Sequence, residues 1–367
     1  MMQCPLCQSM NTSVVYTNEN MPFGILQKES LLNLSISYCE ACTFIFQSSA
    51  YTPEYDTNIQ ALYSKYYIND NYTFPNRNKQ HLKAVDFLSS NIRNECSFNV
   101  LEIGSNRGDF LFLLKEKYPY INILGCEPTS FSNLEVPTIN AFYDQKLFNS
   151  KFDLLILRHT LEHIKNPKTF LTQLENILKP NGVIFIEVPH IVNSLKNSIE
   201  DFTPDHVNYF TPQTLNQLFS DYGCINYDES SYLYMTFSKT APHKDIVSAT
   251  QEKALINNFK KQRETIKDAL KNYSRVIFYG IGNFYLWTYA HLHKDLQDKK
   301  LFFLDDNKSE DRLFKLDKIA SFEDNDLVIL CSSNLEILKT MQQKLPPNVA
   351  VLHPWSHIIK ARLHNGK

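Results

Sequence analysis

The eight cysteines of this 367-residue chain fall into two groups. Cys4 and Cys7 form one C-x-x-C, Cys39 and Cys42 form another, and Cys96, Cys126, Cys224 and Cys331 stand alone. Each short turn presents two thiols to one ion, and two such turns complete a tetrahedral shell of four thiolates. That shell leaves no open position for water, so the expected zinc is structural. A redox C-x-x-C would open a helix in a thioredoxin-like unit, and neither pair has that setting.

A second group surrounds Glu102-Ile-Gly104-Ser-Asn106-Arg-Gly108-Asp109-Phe110, where a strand gives way to a helix. The chain holds only 9 glycines, against the roughly 26 that a typical ~7% would give. Gly104, Gly108, Gly125, Gly280 and Gly282 all lie where strand-like runs pass into helix-like ones. There glycine permits close backbone approach to a ligand, and the helix start offers free N–H groups. Glu102 is a poor neighbour for a pyrophosphate and a good one for a cationic amino-acid group. Glu127, closing the next strand, is placed to accept ribose hydroxyls. The two acids favour S-adenosylmethionine over NAD as the ligand.

Further along, His206 offers an imidazole that titrates near neutrality and could take a proton from an acceptor. Asp205 beside it could assist, bind substrate or contact backbone. The competing reading has His206 capping the helix near Thr211 or packing under Tyr209. His159 and His163 stand four apart with Glu162 between them, which invites a metal reading. H-x-x-E-H needs a further ligand and a helix, whereas this stretch follows a strand. Arg158 and His159 are therefore expected to border the cofactor pocket, with Glu162 and His163 as hydrogen-bonding supports.

These residues need positioning elements, and the patterning supplies them. Strands are expected at Phe98–Ile103, Ile121–Glu127, Phe152–Arg158 and Val183–Val188, with helices at Gly108–Lys117, Lys168–Leu178 and Thr211–Tyr222. The unbroken apolar run of the third strand suits a sheet covered on both faces. The alternation predicts a doubly wound α/β sheet. Residues 1–50 read as the zinc module, with short strands at Val14–Tyr16, Leu34–Tyr38 and Phe44–Phe46. Residues 51–79 read as a Tyr-rich arm, in which Tyr63, Tyr66, Tyr67 and Tyr72 could form a lid or pack the arm down. The core spans 80–245. After a charged helix at Val247–Asn272, residues 246–367 restart the pattern as a Rossmann-like domain with Gly280, Gly282, Asp305 and Asp306 at its dinucleotide-like turn.

A formal charge of −2 gives no broad grip on nucleic acid or anionic lipid. No apolar run approaches the ~20 residues of a membrane span, so a cytoplasmic protein is expected.

The motif E-I-G-S-N-R-G-D-F-L resembles the first motif of class I S-adenosylmethionine-dependent methyltransferases, in the form typical of the zinc-knuckle-containing deoxysugar C-methyltransferase family. The two C-x-x-C pairs, the L-R-H-T-L-E-H-I segment from Leu157, and Ile186-Glu187-Val188-Pro189 are similar to that family in order. Phe202 to Thr211 resembles its Y-H-E-H-x-x-Y-F-S element, with Thr203 where the family has Tyr and Asp205 where it has Glu. The resemblance covers residues 1 to about 225 and implies that Glu102, Gly104, Asn106, Gly108 and Glu127 hold the cofactor. It further implies His206 and Asp205 as the catalytic group and a sugar, linked to a nucleotide, as substrate. The alternatives are methylation of oxygen or nitrogen on another small molecule, a zinc-knuckle binding protein with an inert methyltransferase fold, and an NAD-dependent oxidoreductase.

Overall fold

The computed structural model describes residues 2–22, 31–66, 77–131, 136–196, 202–230, 232–246, 252–281, 283–306, 322–323, 325–332 and 335–353. The chain divides into two compact units. The first comprises Met1–Ser13, Ser37–Ile191 and Asp205–Thr250, and the second Val14–Ile36, Val192–Pro204 and Gln251–Lys367.

The chain opens with β1 (Thr12–Pro22), β2 (Leu31–Cys39), β3 (Ile45–Gln47), α1 (Pro53–Tyr66) and α2 (Arg77–Phe87). β1 and β2 are longer than the short strands expected. The Tyr-rich arm begins as a regular helix, because Pro53 presets the first turn and Glu54 and Asp56 complement its dipole. Tyr67, Tyr72 and the side chains of Tyr63 and Tyr66 lie outside the described residues.

Next come β4 (Asn99–Ile103), α3 (Asp109–Lys117), β5 (Asn122–Cys126), β6 (Thr138–Ile139), β7 (Phe152–Arg158), α4 (Pro167–Ile177) and β8 (Leu178–Pro189). They are followed by α5 (Ile191–Lys196), β9 (Asn208–Tyr209), α6 (Pro212–Leu218), β10 (Gly223–Asp228) and β11 (Tyr232–Ser238). Seven of these strands form the first unit's sheet, in the order β10-β11-β8-β7-β4-β5-β6. β4 to β8 run parallel, and β11 is antiparallel to both β8 and β10. Every residue of β7 is buried, as its apolar run required. One apolar cluster includes Leu155 and Leu157, and the other Leu154 and Ile156, so the strand's alternation divides the core into two layers. Pro180-Asn181-Gly182 does not form a turn closing α4. The strand β8 runs through it, with an irregular register opposite Phe152–Leu154.

The second unit contains α7 (Glu252–Leu270), β12 (Arg275–Tyr279), α8 (Asn283–Leu292), β13 (Lys300–Leu304), β14 (Asp326–Leu330), α9 (Leu335–Gln343) and β15 (Ala350–Leu352). Its sheet is parallel, in the order β13-β12-β14-β15. Tyr16 stacks on Phe202 at 5.5 Å and meets Phe259 edge-on at 5.4 Å. Val14–Ile36 and Val192–Pro204 therefore group with this unit, a division the sequence boundaries at 50 and 245 did not anticipate.

Candidate active site

In the first unit the strand order reverses between β4 and β7, the place where open α/β sheets bind ligands beyond their strand ends. The register brings three charged residues to that end: Glu102 lies opposite Ile156, and Arg158 lies opposite Glu187. A crevice is lined there by Glu102, Gly104, Asn106, Arg158 and His159, all singled out from sequence. Gln80, Ser105, Asp109 and Phe110 also line it.

The turn between β4 and α3 is built on left-handed backbone. Gly104 has φ +77°, and a Cβ there would lie 2.4 Å from Thr160 Oγ1. Gly108, at φ +86°, is the N-cap of α3, and a Cβ on it would lie 2.1 Å from Val136 Cγ2. Gly108 is thus not among the lining residues and shapes the turn from behind. Asn106 also adopts positive φ, at 51°, and its Oδ1 accepts the Arg107 N–H at 2.8 Å. Glu127 holds this turn from the neighbouring strand. One oxygen accepts the Asn106 N–H at 2.9 Å, and the other accepts the Thr129 N–H at 2.9 Å.

Below the crevice floor lies Glu187, fully buried on β8. It accepts from Arg158 Nε at 2.5 Å and from the side-chain amide of Gln80. Burial raises its pKa, but the Arg158 guanidinium and His159 more than offset this and hold it at about 2. Arg158 also lies 3.9 Å from Glu102 and stacks 4.1 Å from the Phe110 ring centre. His159 faces Glu162 at 3.3 Å and Glu187 at 3.6 Å. Burial pushes its pKa down, yet these two carboxylates carry it up to about 9. With His159 counted beside Arg158, the carboxylates of Glu102, Asp109 and Glu187 still outnumber the cations three to two, a setting suited to a cationic ligand and hostile to a pyrophosphate.

His159 joins this crevice to a second cluster. Its backbone is left-handed at φ 50°, and Leu161–His163 form a 3₁₀ turn. The helical face that would have aligned His159 with His163 therefore does not form. His206 arrives instead from a distant loop, anchored by the Val207 N–H to the Glu162 carbonyl at 2.7 Å and by the pairing of β9 with β3. The His163 and His206 rings lie 5.0 Å apart, and His206 meets the Tyr209 ring edge-on at 6.4 Å. Asp205 gives its backbone carbonyl to His163 Nδ1 at 2.8 Å. The cap of α6 is Thr211, closed reciprocally with Thr214, so His206 has no capping role. Glu162 was expected as a hydrogen-bonding support, whereas Glu187 was missed as a site residue. Its signal was an acid inside a run of core residues.

The four knuckle cysteines converge. Cys4 Sγ lies 3.6 Å from Cys42 Sγ, and Cys7 Sγ lies 3.5 Å from Cys39 Sγ. A tetrahedral shell with Zn–S near 2.3 Å has sulfurs about 3.8 Å apart, so the donor set and spacing fit that ion. The hydrogen bond from Cys42 holds the Cys4 thiol down at about 5. In the second unit, Asp305 accepts the Ile281 N–H at 2.8 Å, and Asp306 accepts the Tyr279 hydroxyl at 2.7 Å. Gly282 lies outside the described residues.

Residues 72–229, from α2 through β10, match the family model of a methyltransferase domain. The chain is 29% identical over 157 residues to a C-methyltransferase, NovU, of Streptomyces niveus, covering 39% of this chain and 37% of that protein. It is 28% identical over 101 residues to a tRNA U34 carboxymethyltransferase of Nautilia profundicola, covering 24% and 33% respectively. The chain therefore spans about a third of the length of these curated relatives. Among solved structures, it is similar to the 1,6-didemethyltoxoflavin-N1-methyltransferase of Burkholderia thailandensis with bound S-adenosylhomocysteine. That match has 15% identity and a TM-score of 0.38, and covers 56% of this chain and 96% of the other. The chain carries a methyltransferase domain with a Rossmann-like α/β fold. Among the described residues, no helix is long and apolar enough to cross a membrane.

Proposed function

We propose that this methyltransferase domain binds S-adenosylmethionine in the crevice at β4 and β7 and methylates a nucleotide-linked sugar, forming a bond to carbon. The observation that carries the reading is the buried Glu102 beside a left-handed Gly104 turn, with Glu127 bracing that turn through Asn106. When bound, S-adenosylmethionine supplies an electrophilic methyl group on a sulfonium. Glu102 and Asp109 face its cationic amino-acid portion, and the turn around Asn106 takes the nucleoside. Glu127 fixes that turn, and its remaining lone pairs are available to ribose hydroxyls. Arg158, secured by Glu187, closes the floor, and Phe110 supplies an apolar wall.

The acceptor lies on the far side of His159, near His206. A carbon acid next to a ketone must lose a proton to become a nucleophile, and an imidazole can take it. Similarity to NovU supports methylation at carbon, and the four-thiolate zinc would secure the fold beneath β3.

Incubation with methyl-labelled S-adenosylmethionine and a panel of nucleoside-diphosphate ketosugars tests this reading. A product heavier by one methylene, with the label on a C–CH₃ carbon in the NMR spectrum, is expected. A label on O–CH₃ or N–CH₃ would reassign the acceptor, and turnover of none of these sugars would remove the sugar.

A further inference from the structure

Beyond the four thiols, one other cluster among the described residues brings metal-ligating side chains together. A carboxylate oxygen of Glu162 and a ring nitrogen from each of His163 and His206 lie within 4.8 Å of one another. The sequence lacked a third ligand beside H-x-x-E-H, and the fold supplies it from 44 residues beyond Glu162. We propose that Glu162, His163 and His206 form a second metal site, for a first-row divalent cation such as zinc.

Three features support this. His163 Nδ1 faces the Asp205 carbonyl at 2.8 Å, and a carbonyl can only accept. In the neutral ring Nδ1 therefore carries the proton and Nε2 keeps its lone pair, the arrangement by which outer partners orient histidine ligands. Glu162 is 1% exposed, and its carboxylate atoms accept no regular hydrogen bond. One oxygen faces His159 Nδ1 at 3.3 Å, and the second is left for a cation. A buried carboxylate demands positive charge, which His159 supplies at the first oxygen only. Finally, two imidazoles with one carboxylate suit zinc, iron, manganese or cobalt, and not calcium or magnesium, which prefer oxygen shells.

His163 and His206 are each partly exposed, so the cation keeps positions open to solvent. An oxygen of the acceptor can occupy one of them, which deepens the reading above. In that case His206 acts on the acceptor through the cation, and water held beside the cation takes the acceptor's proton in place of the imidazole.

Metal content of the full-length protein, after equilibration with zinc and gel filtration, tests the site without any methyl transfer. Two zinc ions per chain are expected, with one remaining in His206→Ala and in Glu162→Gln. Cobalt substitution identifies which site is lost. The thiolate charge-transfer band of the knuckle site should persist in both variants, reporting a folded chain. The weaker visible bands of a nitrogen- and oxygen-bound cobalt should vanish. Affinity for the second ion should fall by more than the ~10–100-fold that loss of an outer partner costs. A single zinc in the unmodified protein, or a second ion retained by both variants, would overturn the proposal. Methyl transfer with His206 as the base, and no metal on it, would survive that result.

Discussion

Glu127, at the end of β5, accepts the backbone N–H of Asn106 in the turn after β4 at 2.9 Å. The second unit repeats the device, as Asp305 after β13 accepts the Ile281 N–H after β12 at 2.8 Å. In both units an acid from the adjacent strand braces the loop from which a doubly wound sheet grips ligands. Replacing Glu127 by Ala leaves the Asn106 and Thr129 N–H groups without their acceptor, at about 1–3 kcal/mol each where buried. Glu127→Ala should weaken S-adenosylmethionine binding at least about tenfold by calorimetry. Unchanged affinity would remove Glu127 from the site.

Gly104 carries its own test. Alanine there must adopt φ +77° and place its Cβ 2.4 Å from Thr160 Oγ1. Together these should cost about 1–3 kcal/mol, read as a lower urea midpoint with an unchanged slope. Thr160→Ser in the same background should not relieve the loss, because the clashing atom is the hydroxyl oxygen that serine keeps.

The pH dependence follows from Glu187. Its folded-state pKa is depressed to about 2 from 4.5, so its contribution is present above pH ~4.5 and is lost as pH falls toward 2. A shift of this size corresponds to about 3 kcal/mol. Glu187→Gln should therefore be less stable than the parent at pH 7, and the gap should narrow progressively in urea titrations below pH 4.5. A constant gap across that range would assign the loss to packing alone.

The knuckle cysteines pack in the same apolar cluster as Leu155 and Leu157 of β7. Removing one thiolate should therefore be felt in the sheet. Cys42→Ser should lose the thiolate-bound ion and melt well below the parent, and a strong chelator should lower the parent's melting temperature alike. Equal melting curves with and without chelator would dismiss a structural zinc.

Much of this site was legible because its chemistry is local. Glu102 to Phe110 is one turn, and both C-x-x-C pairs announce themselves by spacing. The parallel strands were legible for the same reason, since β7 is one continuous apolar run. Glu187 was not legible, because a lone acid among core residues reads as a fault in the pattern until its partners are placed. His206 could be named but not located, since its neighbours His163 and Glu162 come from a different loop. β10 escaped notice because Asn226, Tyr227 and Asp228 break the apolar alternation at an exposed edge.

The central claim is that the crevice at β4 and β7 binds a sulfonium nucleoside by charge and shape. Calorimetric titration of the full-length protein with S-adenosylmethionine tests it most directly, alongside Gly104→Arg, whose side chain fills the turn. One site per chain is expected in the parent, with none detectable in the variant. Absence of binding to the parent, or equal binding to both proteins, would contradict the claim.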